Sequence, residues 1–195
     1  MLFWSEMSQP EMRSSLMKEA LRAIDELGEP GPAIRAVAGS ETIAVIERSS
    51  RVDWLPVELM LKVLEATRLT LGLDVAVAHW RRGTMRVFET PLVKPFASGA
   101  ISLFHPSPST ALPLFPKLNK LLYRNTGTVA VVSVDDSTSQ IVHDEVPLVM
   151  RACKAWAPSL GASYVATLDF LRASQPKLDV LVEGMRVTFT LHWKV

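Results

Sequence analysis

One short segment of this sequence holds the densest group of side chains capable of chemistry. His79, Trp80, Arg81 and Arg82 are consecutive, and Arg86 follows about one helical turn later. Guanidinium groups bind anions through paired hydrogen bonds, and an indole ring stacks on cations or flat ligands. The segment is therefore a candidate ligand-binding patch. The simpler interpretation, which we favour, is that cations gather near a helix C-terminus because the helix dipole stabilises them there.

A second candidate site is the run His143-Asp144-Glu145, which offers three metal-ligating side chains in sequence. Neighbouring residues point in different directions, and acidic residues are equally favoured at the start of a helix. We keep these three residues as metal-ligand candidates but predict no metal site. Cys153, the only cysteine, lies among apolar residues and is expected in the core, where burial raises the pKa of a thiol.

Whole classes of function lack their sequence signatures. The sequence has no glycine-rich phosphate loop, no Gly-x-Ser-x-Gly elbow and no Cys-x-x-Cys motif. We therefore predict no catalytic residue and no cofactor, and an enzyme ranks last among three hypotheses. Any acid–base chemistry would have to come from Arg81 and residues 143–145.

Charge and apolar length narrow the expected partners and location. The chain has 195 residues, with 21 basic and 20 acidic side chains, so nothing favours binding to nucleic acid. No apolar run approaches the roughly 18 residues of a membrane-spanning helix, and the first residues lack the basic start of a signal peptide. We expect a cytoplasmic protein that does not insert into membranes. An apolar small molecule or a second copy of the chain is the expected partner.

Helical periodicity dominates the first part of the chain. It predicts a helix over residues 9–27, a linker or sharp turn over 28–32, and a short strand over 42–46. Asp53 is predicted to cap a helix that Gly72 ends, and Asp74 to cap a short helix that Gly83 ends. Short helices interrupted by prolines are expected over residues 84–123, with a loop at 104–109 and a last helix at 114–123.

The period then changes to that of strands. Strands are predicted over 128–134, 139–143 and 164–170, with a helix over 146–160 and a closing hairpin of 177–183 with 185–193. In the last strand Val187, Phe189, Leu191 and Trp193 share one face, which the 146–160 helix should cover. The predicted fold is α+β, with a helical N-terminal two-thirds packed on a C-terminal antiparallel sheet of about four strands.

The N-terminal segment is predicted to be separate. Residues 1–30 would form a helix and a Pro/Gly hinge, and residues 31–195 a single α+β domain. Trp4 precedes the first helix and would be exposed without a partner. Trp4, Leu16 and Ile24 are therefore the candidate interface residues for self-association.

Short motifs between Glu41 and Trp193 carry a family resemblance. They include Asp53-Trp54-Leu55-Pro56, Thr90-Pro91-Leu92 and the closing Leu191-His192-Trp193. The sequence resembles a paralogous family of uncharacterised proteins of similar length described in myxobacteria. That family is distantly like haem-nitric-oxide-binding and vinyl-reductase-type ligand-binding domains. The remote relatives that hold haem use a histidine and a Tyr-x-Ser-x-Arg clamp, to which Tyr123-Arg124-Asn125 does not correspond, so the resemblance implies the fold and no haem role.

Two functions remain open beside the enzyme. The first is a non-catalytic, small-molecule-binding or regulatory domain with an apolar cleft of roughly 300 Å³ or more between the helical part and the sheet. The alternative is a protein–protein interaction module that self-associates through its N-terminal helix. The high hydrophobic fraction, 48%, suits both, because apolar side chains in excess of the core can line a pocket or an interface.

Overall fold

The computed structural model describes residues 9–88, 94 and 107–194, and it confirms the α+β class. The first part contains α1 Ser14–Asp25, α2 Pro30–Ala38, α3 Ser40–Arg48, α4 Val57–Leu71 and α5 Leu73–Val87. After residue 106 come α6 Pro108–Ala111, a 3₁₀ turn at Leu112–Leu114 and α7 Phe115–Leu122. Strands β1 Glu11–Arg13, β2 Trp54–Pro56 and β3 Tyr123–Arg124 form a small sheet in the order β2-β1-β3. Within the described ranges, no helix is long and apolar enough to span a membrane.

The C-terminal part is a four-stranded antiparallel sheet with a long helix against it. Strands β4 Thr128–Asp135 and β5 Thr138–Asp144 lead through α8 Leu148–Ala152 and α9 Trp156–Phe170 to β6 Ser174–Glu183 and β7 Arg186–Lys194. The strand order is β4-β5-β7-β6. As predicted, alternate residues of β7 face inward: Val187, Phe189 and Leu191 are fully buried and Trp193 is 6% exposed.

The helix that covers this inward face differs from the prediction. It is α9, which begins at Trp156 and continues through Gly161 to Phe170, whereas the 146–160 segment is interrupted after α8. Residues 164–170 are helical and do not form the predicted strand. Tyr164, Ala166 and Leu168 are all buried, because α9 packs on the sheet on one side and on α5 on another. A helix covered on several sides loses the polar stripe that reveals its period.

Further predictions in the helical part need correction, among them the Asp74 cap: Asp74 lies in the first turn of α5, whose N-cap is Gly72. Residues 42–46 lie in α3, where Thr42, Ile43 and Ile46 are buried at helical spacing, so packing overrides β-branched propensity. Residues 30–32 begin α2, since the first turn of a helix tolerates proline. The Asp53 carboxylate accepts a hydrogen bond from the Ser50 amide and does not cap α4. Gly83 lies inside α5 and does not end it.

Helix α1 contributes to the same core as the sheet. Met17, Leu21 and Ile24 are at most 3% exposed and belong to one apolar cluster with Phe189. The helix also packs against α2, α3 and α5. The division of the chain at residue 30 stays a prediction. The loop expected at 104–109 falls largely outside the described residues, and Pro108 begins α6.

Candidate functional site

A partly open cavity of about 130 Å³ lies among four helices. Its walls come from α1, α4, α5 and α9, with single residues from β1 and β3. Most of the lining is aliphatic or aromatic: Leu16, Met60, Leu61, Leu64, Trp80 and Trp156. The expected cleft between the helical part and the sheet is therefore replaced by a smaller cavity inside the helical layer. Trp156 is the point at which the cavity wall meets the core of the sheet.

Small residues in the facing helices leave this space open. Helix α5 packs along α9, with Gly83 and Thr84 on one helix and Ser159 and Ser163 on the other lining the cavity. The hydroxyls of Thr84 and Ser163 are 2.9 Å apart, within hydrogen-bonding distance. A β-carbon built at Gly83 would touch only Ala23 of α1, at 3.6 Å. The backbones can thus approach closely while little side-chain volume fills the interior.

His79 is the basic residue on the cavity wall. It is 6% exposed, although α5 presents several of its neighbours to solvent. Removal from water, with a smaller contribution from the charge of Arg82, lowers the pKa of its imidazole, so the ring is neutral at pH 7. Its ring nitrogens make no hydrogen bond within the described part of the chain. A neutral imidazole therefore offers the cavity one donor and one acceptor.

Most of the other polar groups of the wall have hydrogen-bond partners within the protein. The buried Glu19 carboxylate accepts from Arg51 at 2.5 Å and from Arg22 at 3.4 Å. The hydroxyls of Thr67 and Ser159 donate to carbonyls of their own helices. Burial raises the pKa of Tyr123 to about 12, so its phenol stays protonated. The wall thus carries no uncompensated charge among the residues described.

An aromatic cluster lies behind this wall, against the sheet. The His143 ring nitrogen Nε2 lies 2.5 Å from the Tyr164 hydroxyl, and both residues are at most 5% exposed. The His143 ring also meets Phe189 and Trp156 edge-on, with centroids 5.6 and 6.2 Å away. Burial lowers the pKa of His143 to about 4 and raises that of Tyr164. Both groups are neutral at pH 7 and pack as part of the buried core.

The three residues proposed as metal ligands point in different directions. His143 faces inward, and the Asp144 carboxylate accepts a hydrogen bond from Arg186 on the adjacent strand β7. Glu145 is exposed, in a left-handed backbone conformation with φ of 56°. Among the described residues no three histidine, cysteine or acidic side chains are grouped as a metal site would require. Cys153 is half-buried, and this burial raises the pKa of its thiol.

The predicted ligand patch is divided between the two faces of α5. His79 and Trp80 line the cavity. Arg81 binds both carboxylate oxygens of Asp169 in α9, at 2.5 and 2.6 Å, and Arg86 pairs with Glu26 at the end of α1. These two arginines fasten helices together, and Arg82 is exposed. Only the first two residues of the patch are in position to meet a buried ligand.

Of the three predicted interface residues, two lie in the part of the chain that the structure describes. Trp4 lies outside the described residues. Leu16 is half-buried on the cavity wall, and Ile24, 2% exposed, packs in the core. Self-association stays a prediction that these positions do not test.

The comparisons with known proteins give structural neighbours only. No family model matches the chain, and no curated protein matches its sequence. One similar solved structure is an unliganded Fe(II) mutant of an H-NOX protein from K. algicida, with 10% identity and a TM-score of 0.62, covering 94% of this chain and 97% of that one. An oxygen-binding H-NOX domain related to soluble guanylate cyclases has 9% identity and a TM-score of 0.61, covering 94% and 96%.

A third neighbour, from a study of heme distortion in the H-NOX family, has 10% identity and a TM-score of 0.61 over 94% and 96% of the two chains. This likeness contradicts the prediction of no cofactor, because solved proteins of the same fold are haem proteins. It agrees with the distant likeness to haem-nitric-oxide-binding domains, whereas the myxobacterial family stays a prediction. At this identity the comparisons show one thing about the chain: it has the fold of H-NOX domains.

Proposed function

We propose that this chain is a regulatory domain that binds a small molecule in the cavity among α1, α4, α5 and α9. The observation that carries the proposal is the cavity itself: about 130 Å³, mostly apolar, with one buried imidazole that has no partner among the described residues. An engineered apolar cavity of about 150 Å³ binds benzene. A molecule of one ring is therefore the size class that this space suits.

The structural neighbours support a binding role over a catalytic one. One of them is described as oxygen-binding, so the fold is known to enclose a small ligand. In this chain the described residues around the cavity show no nucleophile and base within hydrogen-bond reach of each other, which nucleophilic catalysis would need. Binding coupled to a change in the surrounding helices is the simpler function for such a site.

Haem, whose distortion was studied in one of the structural neighbours, does not fit the described residues as they are arranged. A cavity of about 130 Å³ is below the roughly 300 Å³ at which pockets begin to hold drug-sized molecules, and haem is at least that large. No described lysine or arginine lines the cavity to balance the two propionates. His79 could supply an imidazole, but the walls would have to separate before a macrocycle could enter.

Ligand-induced stabilisation tests the proposal. Toluene, added at increasing concentration, should raise the melting temperature, because a ligand that binds only the folded state at 100 times its Kd stabilises by about 2.7 kcal/mol. That gain corresponds to roughly 5–10 °C for a chain of this size. Ala20→Leu, which fills the cavity, should abolish the shift. Ala36→Leu, the same substitution at an exposed position of α2, should leave it intact.

Two results would overturn the proposal. One is the absence of any toluene-dependent shift in the unmodified protein. The other is an equal shift in the Ala20→Leu variant, which would place toluene elsewhere. A titration with hemin in the same series identifies a competing ligand: a stoichiometric visible spectrum of histidine-bound haem that excludes toluene would replace the single-ring assignment with haem.

A further inference from the structure

His79 is a polar side chain of the cavity wall with unused hydrogen-bonding capacity, as is Tyr123. Glu19 is held by two arginines, and the Thr67 and Ser159 hydroxyls donate to helix carbonyls. The Thr84 and Ser163 hydroxyls are each within hydrogen-bonding distance of the other and of a carbonyl of their own helix, so both O–H donors are used. Within the described residues, the His79 ring makes no hydrogen bond although the residue is only 6% exposed. Its side chain lines the cavity, so a ligand or water there can take up the unused donor and acceptor of the ring.

The charge of the wall restricts what that ligand can be. No described lysine or arginine lines the cavity, and its one carboxylate, Glu19, is already paired. An ion placed in an apolar space of this kind would lose its hydration without compensation. An uncharged molecule avoids that cost. A single polar group on it can pair with one ring nitrogen of the imidazole, since a neutral histidine has one donor and one acceptor nitrogen.

We infer that the ligand is an uncharged, single-ring molecule with one hydroxyl or N–H group, which hydrogen-bonds to the imidazole of His79. The rest of the ring lies against the aliphatic and indole side chains of the wall, including Trp80 and Trp156. The inference rests on the proposed function, because it names the class of molecule that the same cavity binds. His79 is then the residue that selects hydroxylated rings over purely apolar rings of equal size.

Phenol and toluene are matched probes for this selection, since they differ by a hydroxyl in place of a methyl group. The unmodified protein should bind phenol at least as tightly as toluene. His79→Leu should weaken phenol binding at least tenfold while toluene binds as before, because a hydroxyl left without a partner is costly to bury. Continued binding of toluene shows that the variant has kept its cavity. His192→Leu, on the opposite face of the sheet, should change neither affinity.

Tyr123→Phe tests the hydroxyl of Tyr123, which, like the imidazole of His79, makes no hydrogen bond in the described part of the cavity wall. It should leave phenol affinity unchanged, since the inference assigns the contact to His79. Nitrogen NMR of the unmodified protein provides a measurement that needs no substitution. Phenol should shift the His79 ring-nitrogen resonances and toluene should not.

The outcomes distinguish this inference from the proposed function. If the unmodified protein binds neither ring, the cavity is not a ligand site and both fail. If both rings bind but His79→Leu leaves phenol affinity unchanged, or phenol leaves the His79 nitrogen resonances unmoved, the cavity still binds ligands and only the role of His79 is overturned. A loss of phenol affinity in Tyr123→Phe alone would transfer the selecting role to Tyr123.

Discussion

The two sides of helix α9 are packed in opposite ways. On the side of the sheet, Tyr164 meets Phe189 edge-on with ring centroids 5.1 Å apart, and Gly161 lets Leu178 approach its α-carbon closely. On the side of α5, the short side chains of Ser159 and Ser163 border the cavity. One helix therefore has a dense interface and an interface with space in it.

This difference separates the part of the molecule that provides stability from the part that can bind. Protein interiors are normally packed as densely as organic crystals, and empty volume reduces stability. The aromatic cluster around Phe189 follows that rule. The cavity is an exception to this rule. Its wall contains the imidazole of His79, which has no hydrogen-bond partner in the described chain. We therefore expect substitutions on the sheet side to change stability and those on the α5 side to change ligand affinity.

The largest expected effect is on the sheet side. Phe189→Ala should reduce the free energy of unfolding by about 3–5 kcal/mol, the range for removing a buried aromatic side chain. His192→Ala, on the outer face of the same strand, should cost less than about 0.5 kcal/mol. Urea denaturation of the two variants measures both. Equal costs would mean that the inward face of β7 is misassigned.

The buried His143 predicts a pH dependence of stability. Its folded pKa, about 4, lies below the value of about 6.5 expected when unfolded, so the unfolded state binds a proton first as the pH falls. This contribution is complete above pH 6.5 and is lost progressively toward pH 4. Between pH 7 and pH 5 it should amount to about 2 kcal/mol. His143→Gln should flatten the dependence of the urea midpoint on pH in that interval, and an unchanged slope would count against a neutral, buried His143.

Two glycine substitutions compare the interfaces directly. A β-carbon at Gly161 would lie 2.5 Å from a terminal methyl group of Leu178, which must shift, so Gly161→Ala should destabilise by a net of at most about 1 kcal/mol once the helix preference for alanine is counted. Gly83→Ala should instead stabilise by about 0.5–1 kcal/mol, because alanine is favoured in a helix and its methyl group meets only an ordinary contact. Thermal melts show whether each substitution raises or lowers the stability. Stabilisation by both substitutions would show that α9 is loosely packed on each side.

The smallest expected effect is at the rim between α5 and α9. Arg81→Ala removes a two-point ion pair with Asp169 whose side chains are 42% and 33% exposed. Solvent-exposed pairs contribute about 0–1 kcal/mol, and the loss should shrink further in 1 M salt. Denaturation at low and high ionic strength measures it. A loss of phenol affinity without a loss of stability would instead give Arg81 a role in binding.

The strands could be predicted from the sequence and the helix beside them could not. In β7 every second residue is buried and the others meet solvent, so the period of two is visible. Helix α9 is covered on more than one side, and Tyr164, Ala166 and Leu168 therefore alternate with other residues by chance in a way that imitates a strand. In α3 the β-branched residues Thr42 and Ile43 face the core, which local propensity does not reveal.

The candidate site was only partly visible in the sequence. The sequence singles out His79 only as one member of a cationic patch. Ala76, His79 and Gly83 follow one another at spacings of three and four residues, which places His79 beside small residues on one face of α5. The sequence does not indicate the position of Tyr164 in the core, because the local pattern predicts a strand over residues 164–170. The cavity is formed by four helices that are distant in sequence, so its existence depends on tertiary packing that no local pattern records.

A crystal structure with bromobenzene tests most directly whether the cavity is a binding site. Bromine gives an anomalous signal that locates the ring independently of the protein atoms. We predict a single strong peak enclosed by His79, Trp80 and Trp156, with the sheet side of α9 unchanged. A peak found only at the surface, or none in the cavity at saturating bromobenzene, would contradict the account.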